Sequence, residues 1–102
     1  MLFHVTMTHS EDNCPAYNHE TMADFIAGSD KLDGLAKELK ITVHYLLWGA
    51  PDHVAYALIE AESLGAVGRY VMSMPIRQAF KVTPVQNLKD VVVMVKALQA
   101  KT

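Results

Sequence analysis

A chain of 102 residues, 51% of them apolar, is long enough for one compact domain with a real core and too short for two. Its net charge of −2, from mixed charges along the chain, excludes the basic face that nucleic acid needs and any Lys/Arg cluster for anionic membrane. The single cysteine, Cys14, excludes an intrachain disulfide and fits a reducing compartment. The first residues, MLFHVTMTHSEDN, have no charged leader region and no long apolar run. No stretch approaches the roughly 18 apolar residues of a membrane span. A cytoplasmic protein is expected.

Residues 2–8 alternate. Phe3, Val5 and Met7 share one face, and His4, Thr6 and Thr8 the other, as in a half-buried strand. The polar face carries no charge, which suits a lined cavity. Residues 9–18, HSEDNCPAYN, are a loop by composition. The loop is long for a strand-to-helix connection, and long loops in small domains often carry function.

Residues 20–39 read as a helix with an interrupted stripe of Met22, Phe25, Ile26, Leu32, Leu35 and Leu39. Gly28-Ser29-Asp30 breaks it into a kinked helix or two short ones, with Ser29 or Asp30 as the second cap. Residues 41–48 are rich in β-branched and aromatic side chains, and residues 54–59 are short and apolar. They read as a strand hairpin turning at Gly49-Ala50-Pro51-Asp52, where Gly permits φ > 0. Residues 62–73 read as a helix capped by Ser63 and ended by Pro75, with Leu64, Val67, Tyr70, Val71 and Met74 inward. Residues 77–85 form a fourth strand, Pro84 marking an edge or an end. Residues 87–101 form a terminal helix capped by Asn87.

The order is β-α-β-β-α-β plus one helix, an α+β, ferredoxin-like arrangement with a four-stranded antiparallel sheet. Right-handed crossovers give strand order 4-1-3-2, with both main helices on one face. The other face would be open, except where the terminal helix covers it. Simple alternation puts Trp48, Leu46, His44 and His4 on that open face, with Tyr56 open between the two faces because both faces of its strand are apolar. A second copy is the natural cover, two sheets closing into a barrel.

Here the chain resembles the dimeric α/β-barrel superfamily over its whole length. Within it, the chain looks most like small bacterial GYD-type proteins, through Gly49-Ala50-Pro51-Asp52-His53-Val54 followed by Glu60-Ala61. Pro51 stands where that group has Tyr, and the Cys14 loop has no counterpart. The resemblance implies a homodimer or higher oligomer with a cavity. Its members include cofactor-free monooxygenases, haem-binding enzymes, lactone isomerases and amino-acid-sensing regulators. Fold alone does not choose among them.

Five histidines carry the chemical signal. His4 and His44 lie in mid-strand on the less apolar face, the positions for catalytic imidazoles flanking a small ligand. Their strands are separated by the third, so the rings would lie roughly 9 to 10 Å apart, too far to share a metal. Trp48, Tyr56 and Tyr17 are candidate ligand-binding rings, and Arg77 a candidate carboxylate anchor. His9 and Cys14 are candidate metal ligands, with one of His4, His19 or His44 as a third. Their spacing matches no zinc signature, and the plain reading of His9, His19 and Cys14 is loop imidazoles and an inert thiol. His53 reads as exposed at the hairpin mouth, and Asp52 as a turn residue.

The function expected is small-molecule or metal binding, with oxidoreductase or isomerase chemistry on cavity histidines. The alternative is a non-enzymatic oligomerisation or ligand-sensing module. The cofactor stays open between a transition metal, haem and none.

Overall fold

The computed structural model describes residues 1–101, with Ala50 described by its backbone alone. Four strands, β1 (Leu2–Thr8), β2 (Thr42–Gly49), β3 (Val54–Glu60) and β4 (Ala79–Val85), form one antiparallel sheet in the order β2-β3-β1-β4. That is the expected 4-1-3-2 order, with the two most apolar strands in the centre. Phe3, Val5 and Met7 of β1 and Ala55, Ala57 and Ile59 of β3 are buried on one face. Val67, Tyr70 and Val71 of α3 (Leu64–Met72) close over them. Each fully buried Val, Ile or Met contributes about 1.5–3 kcal/mol, so this small layer holds the domain together.

The expected helix over residues 20–39 is two helices, α1 (His19–Ser29) and α2 (Leu32–Leu39). The Asn18 side chain caps α1, accepting from the Glu20 and Thr21 amides at 3.0 and 3.1 Å. Ser29 does not cap α2; its hydroxyl donates back to the Phe25 carbonyl at 2.7 Å. Nor does Asp30: the α2 N-cap is Lys31, whose side chain makes no cap bond. Gly28 at the break is required by space. A Cβ there would stand 2.6 Å from Cδ of Pro75.

The hairpin departs from the simple reading in two places. The first is β2, where the pairing with β3 shifts between Val43 and Tyr45. His44 is the extra residue of a bulge, and a bulge reverses the side on which every later residue falls. Leu46 and Trp48 therefore stand opposite Ala57 and Ala55, on the helix-covered face. Their expected place on the open face is wrong. Tyr45 and Leu47 take it instead, opposite Leu58 and Tyr56.

The second departure is the turn. A short 3-10 turn, Ala50–Asp52, connects the strands. The left-handed residue is His53, at φ 55°, and not Gly49.

Ser63 caps α3, its hydroxyl accepting from the Ala66 amide at 3.2 Å, while Leu64 is exposed and does not face inward. Arg77 and Gln78 precede β4, and Pro84 lies within it on an edge strand, the position where a sheet tolerates proline. The terminal helix α4 (Leu88–Ala100) is capped by Asn87 through the Lys89 amide at 2.9 Å. It buries none of its residues, so it does not cover the sheet. The radius of gyration, 16.6 Å, exceeds the roughly 13 Å of a compact chain this long.

Candidate functional site

Three segments meet where β1 ends: the His9–Asn18 loop, the tip of β2 and the start of β3. The His9 amide donates to the His53 carbonyl at 3.2 Å, extending the β1–β3 pairing by one bond. That bond places the two imidazoles side by side. His9 Nε2 and His53 Nδ1 are 3.2 Å apart. One nitrogen must carry the hydrogen and the other accept it. His9 is buried, and burial together with the neighbouring His53 holds its pKa below the ordinary 6.5. The ring is neutral at neutral pH.

Cys14 joins this pair. Two consecutive 3-10 turns, Glu11–Asn13 and Pro15–Tyr17, flank it. Its amide donates to the Glu11 carbonyl and its carbonyl accepts from the Tyr17 amide, at 3.1 and 3.0 Å. The thiol is buried. One ligand atom from each of His9, Cys14 and His53 lies within 4.8 Å of the others. The loop histidine and thiol are thus interior groups, not exposed ones, and His53 is half-buried against them rather than free at the hairpin mouth.

Trp48 forms the next layer. Its ring stacks on His9, centroids 5.3 Å apart and planes 24° from parallel, and meets Phe25 at 5.0 Å. Trp48 also lines a cavity of about 250 Å³ with Phe25, Leu32, Leu46, Met74 and Pro75, between the sheet and the α1–α2 break. The bulge at His44 puts Trp48 and Leu46 there. A cavity of this size suits a small molecule, and its walls are apolar.

The remaining expected site residues are spread over other surfaces. His4 lies on the open face of the sheet between Tyr45 and Tyr56, ring centroids 6.4 and 6.2 Å away. His44 Nε2 lies 3.3 Å from a carboxylate oxygen of Glu60, both side chains largely in solvent. Tyr17 is exposed, its ring 6.2 Å from that of His53. Arg77 lines a separate open groove with Asn13, Met72 and Phe80. His19 begins α1 and is exposed. His4 and His44 are therefore on one side of the sheet, and His9, Cys14 and Trp48 on the other.

Sequence reasoning missed two participants. His53 stands 44 residues from His9, and only the strand register brings them together. Gln78 sends its amide nitrogen toward the sulfurs of Met7 and Met74 at 3.9 and 3.8 Å, with its carbonyl buried and unpartnered. The residue preceding a strand gave no signal for that.

No family model matches the chain, and no curated protein matches it. Among solved structures, a crystal structure of muconolactone isomerase matches with 24% identity and a TM-score of 0.56. The match covers 85% of this chain and 90% of that one. No helix among the described residues is long and apolar enough to cross a membrane. The likeness shows the fold, an α+β ferredoxin-like domain. It does not reach the narrower GYD-type resemblance.

Proposed function

We propose that this protein binds a small organic molecule in the cavity beside Trp48 and moves a proton on it, an isomerase-like reaction. One observation carries the reading. Trp48 is a wall of the apolar cavity and, through the same ring, the stacking partner of His9. A bound molecule would therefore lie one ring away from a hydrogen-bonded imidazole pair, which a movement of Trp48 would bring into reach. A neutral imidazole can take a proton, and its partner can return one. The name of the structural neighbour, muconolactone isomerase, belongs to the same reaction class.

Trp48 is the chain's single tryptophan, so its fluorescence reports on the cavity directly. Small unsaturated acids and lactones are the first panel to titrate. A saturable change in emission that Leu46→Phe abolishes by filling the cavity is the expected result. No change in emission or melting temperature with any member would overturn the cavity reading.

A second reading rests on the opposite face. His4 between Tyr45 and Tyr56, with Leu47 and Leu58 beside them, leaves an aromatic and apolar surface half open. A second copy laid on this face would turn it into a barrel interior, with His4 and His44 as its imidazoles. The exposed Val92, Val93, Val95 and Leu98 of α4 favour association too. A monomer at micromolar concentration would defeat this reading. His4→Ala and His9→Ala separate the two sites, since each should abolish ligand binding at only one of them.

A further inference from the structure

We infer that His9, Cys14 and His53 form a two-nitrogen, one-sulfur site for a transition-metal ion, with one coordination position left open. The inference goes beyond the cavity reading and does not depend on it. Imidazole and thiolate are the ligands that zinc, cobalt and copper prefer, and carboxylate-binding calcium or magnesium would not choose this set.

The geometry is close to what such an ion requires. Tetrahedral zinc with ordinary bond lengths separates two ligand nitrogens by about 3.3 Å, and a nitrogen from a sulfur by about 3.6 Å. The two imidazole nitrogens are already 3.2 Å apart. The whole set falls within 4.8 Å, so a movement of about one ångström by the longest side closes it. Three ligands are fewer than a structural zinc site uses, and the fourth position would take water or a substrate atom.

The other ring nitrogen of His9 stands outside this set. His9 is 8% exposed, and its Nδ1 is buried with no hydrogen-bond partner. Exchanging the tautomers of the His9–His53 pair does not help, because the pair uses Nε2 of His9. The His9 Nδ1 diverges from the cluster, so an ion held by Nε2 does not partner it, and the site rests on the geometry of the three ligand atoms.

The chain also holds the ligands in place before any ion arrives. Cys14 is pinned between two turns by its own amide and carbonyl. His9 is tied to the His53 backbone. His53 adopts a left-handed conformation that disfavours any side chain with a Cβ, and this conformation presents its ring to His9. With an ion bound, the cluster becomes a Lewis acid beside Trp48 instead of a pair sharing one hydrogen.

The test uses the untagged 102-residue chain, stripped with a chelator and titrated with Zn²⁺ against a competing indicator, then separately with Co²⁺. One ion per chain is expected, with thiolate-to-cobalt charge-transfer absorption in the cobalt form. C14A and H53G should weaken Zn²⁺ binding by more than the roughly 100-fold that loss of an outer-shell partner can cost. C14A should also remove the charge-transfer band. H19A and H44A should leave both unchanged. H53G keeps the experiment decisive, since glycine accepts the left-handed backbone and the fold survives. Zn²⁺ affinity unchanged in C14A and H53G, or cobalt uptake without thiolate absorption, would overturn the proposal. Titrating the metal-free protein with the small-molecule panel in parallel separates this result from the fate of the cavity reading.

Discussion

His53 Nδ1 stands 3.2 Å from His9 Nε2, and the residue that brings it there has a left-handed backbone, φ 55°. The conformation costs a residue with a Cβ roughly 1 kcal/mol or more. The first prediction follows from comparing two replacements that both delete the imidazole. His53→Gly should be more stable than His53→Ala by about 1 kcal/mol, because only alanine keeps the strain. Urea denaturation of the two variants measures the difference directly.

A second prediction concerns pH in the metal-free protein. Burial first, and His53 second, lower the His9 pKa below 6.5. The unfolded chain, with an ordinary histidine, binds a proton in a window where the folded chain does not. Stability therefore rises with pH across that window. The contribution is complete above 6.5 and is lost as pH falls through the folded pKa. The melting temperature should drop on acidification below 6.5, and His9→Leu should flatten that part of the profile. An identical profile in the variant would assign the acid sensitivity to another group.

The contact of Gly28 with Pro75 supplies a third. Gly28→Ala forces a methyl into the Pro75 ring, at 2.6 Å from Cδ. Overpacking of this kind costs about 1–3 kcal/mol. Pro75→Ala alone removes the ring and should restore most of the loss in the double variant. Thermal melts of the four-member cycle give the coupling energy, and strict additivity would show that the helix break relaxes without help.

Gln78 supplies a fourth. Its carbonyl oxygen is buried without a partner and its amide reaches only thioether sulfurs. Gln78→Met replaces a poorly satisfied polar group with an apolar one of similar length. It should be neutral or stabilising by up to about 1–3 kcal/mol, the desolvation cost of one unpaired group. A loss of stability in denaturant would mean that the sulfur contacts matter more than their length implies.

The fold was legible because its signals are local. Alternation in β1, the Ser63 and Asn87 caps and the breaker at residues 28–30 each act within a few neighbours. The strand order then followed from crossover handedness. The site was much less legible. His9 and Cys14 stood out by type, but His53 looked like an exposed turn residue, since nothing nearby in sequence reveals that β3 begins beside the end of β1. Trp48 was assigned to the wrong side for a different reason. Residues 41–48 alternate smoothly, and a bulge leaves no mark in composition when the inserted residue is itself a good strand former. His44 is such a residue, and one unmarked insertion exchanged Trp48 and Leu46 with Tyr45 and Leu47.

The same insertion has a consequence for how this sheet meets other chains. β2 and β4 are its two edges, and an uninterrupted edge invites a further strand and then a growing aggregate. His44 disrupts the regular ladder on one edge, and Pro84 removes a donor from the other. Neither margin is a good template for strand addition. Copies of this protein are steered away from edge-to-edge growth.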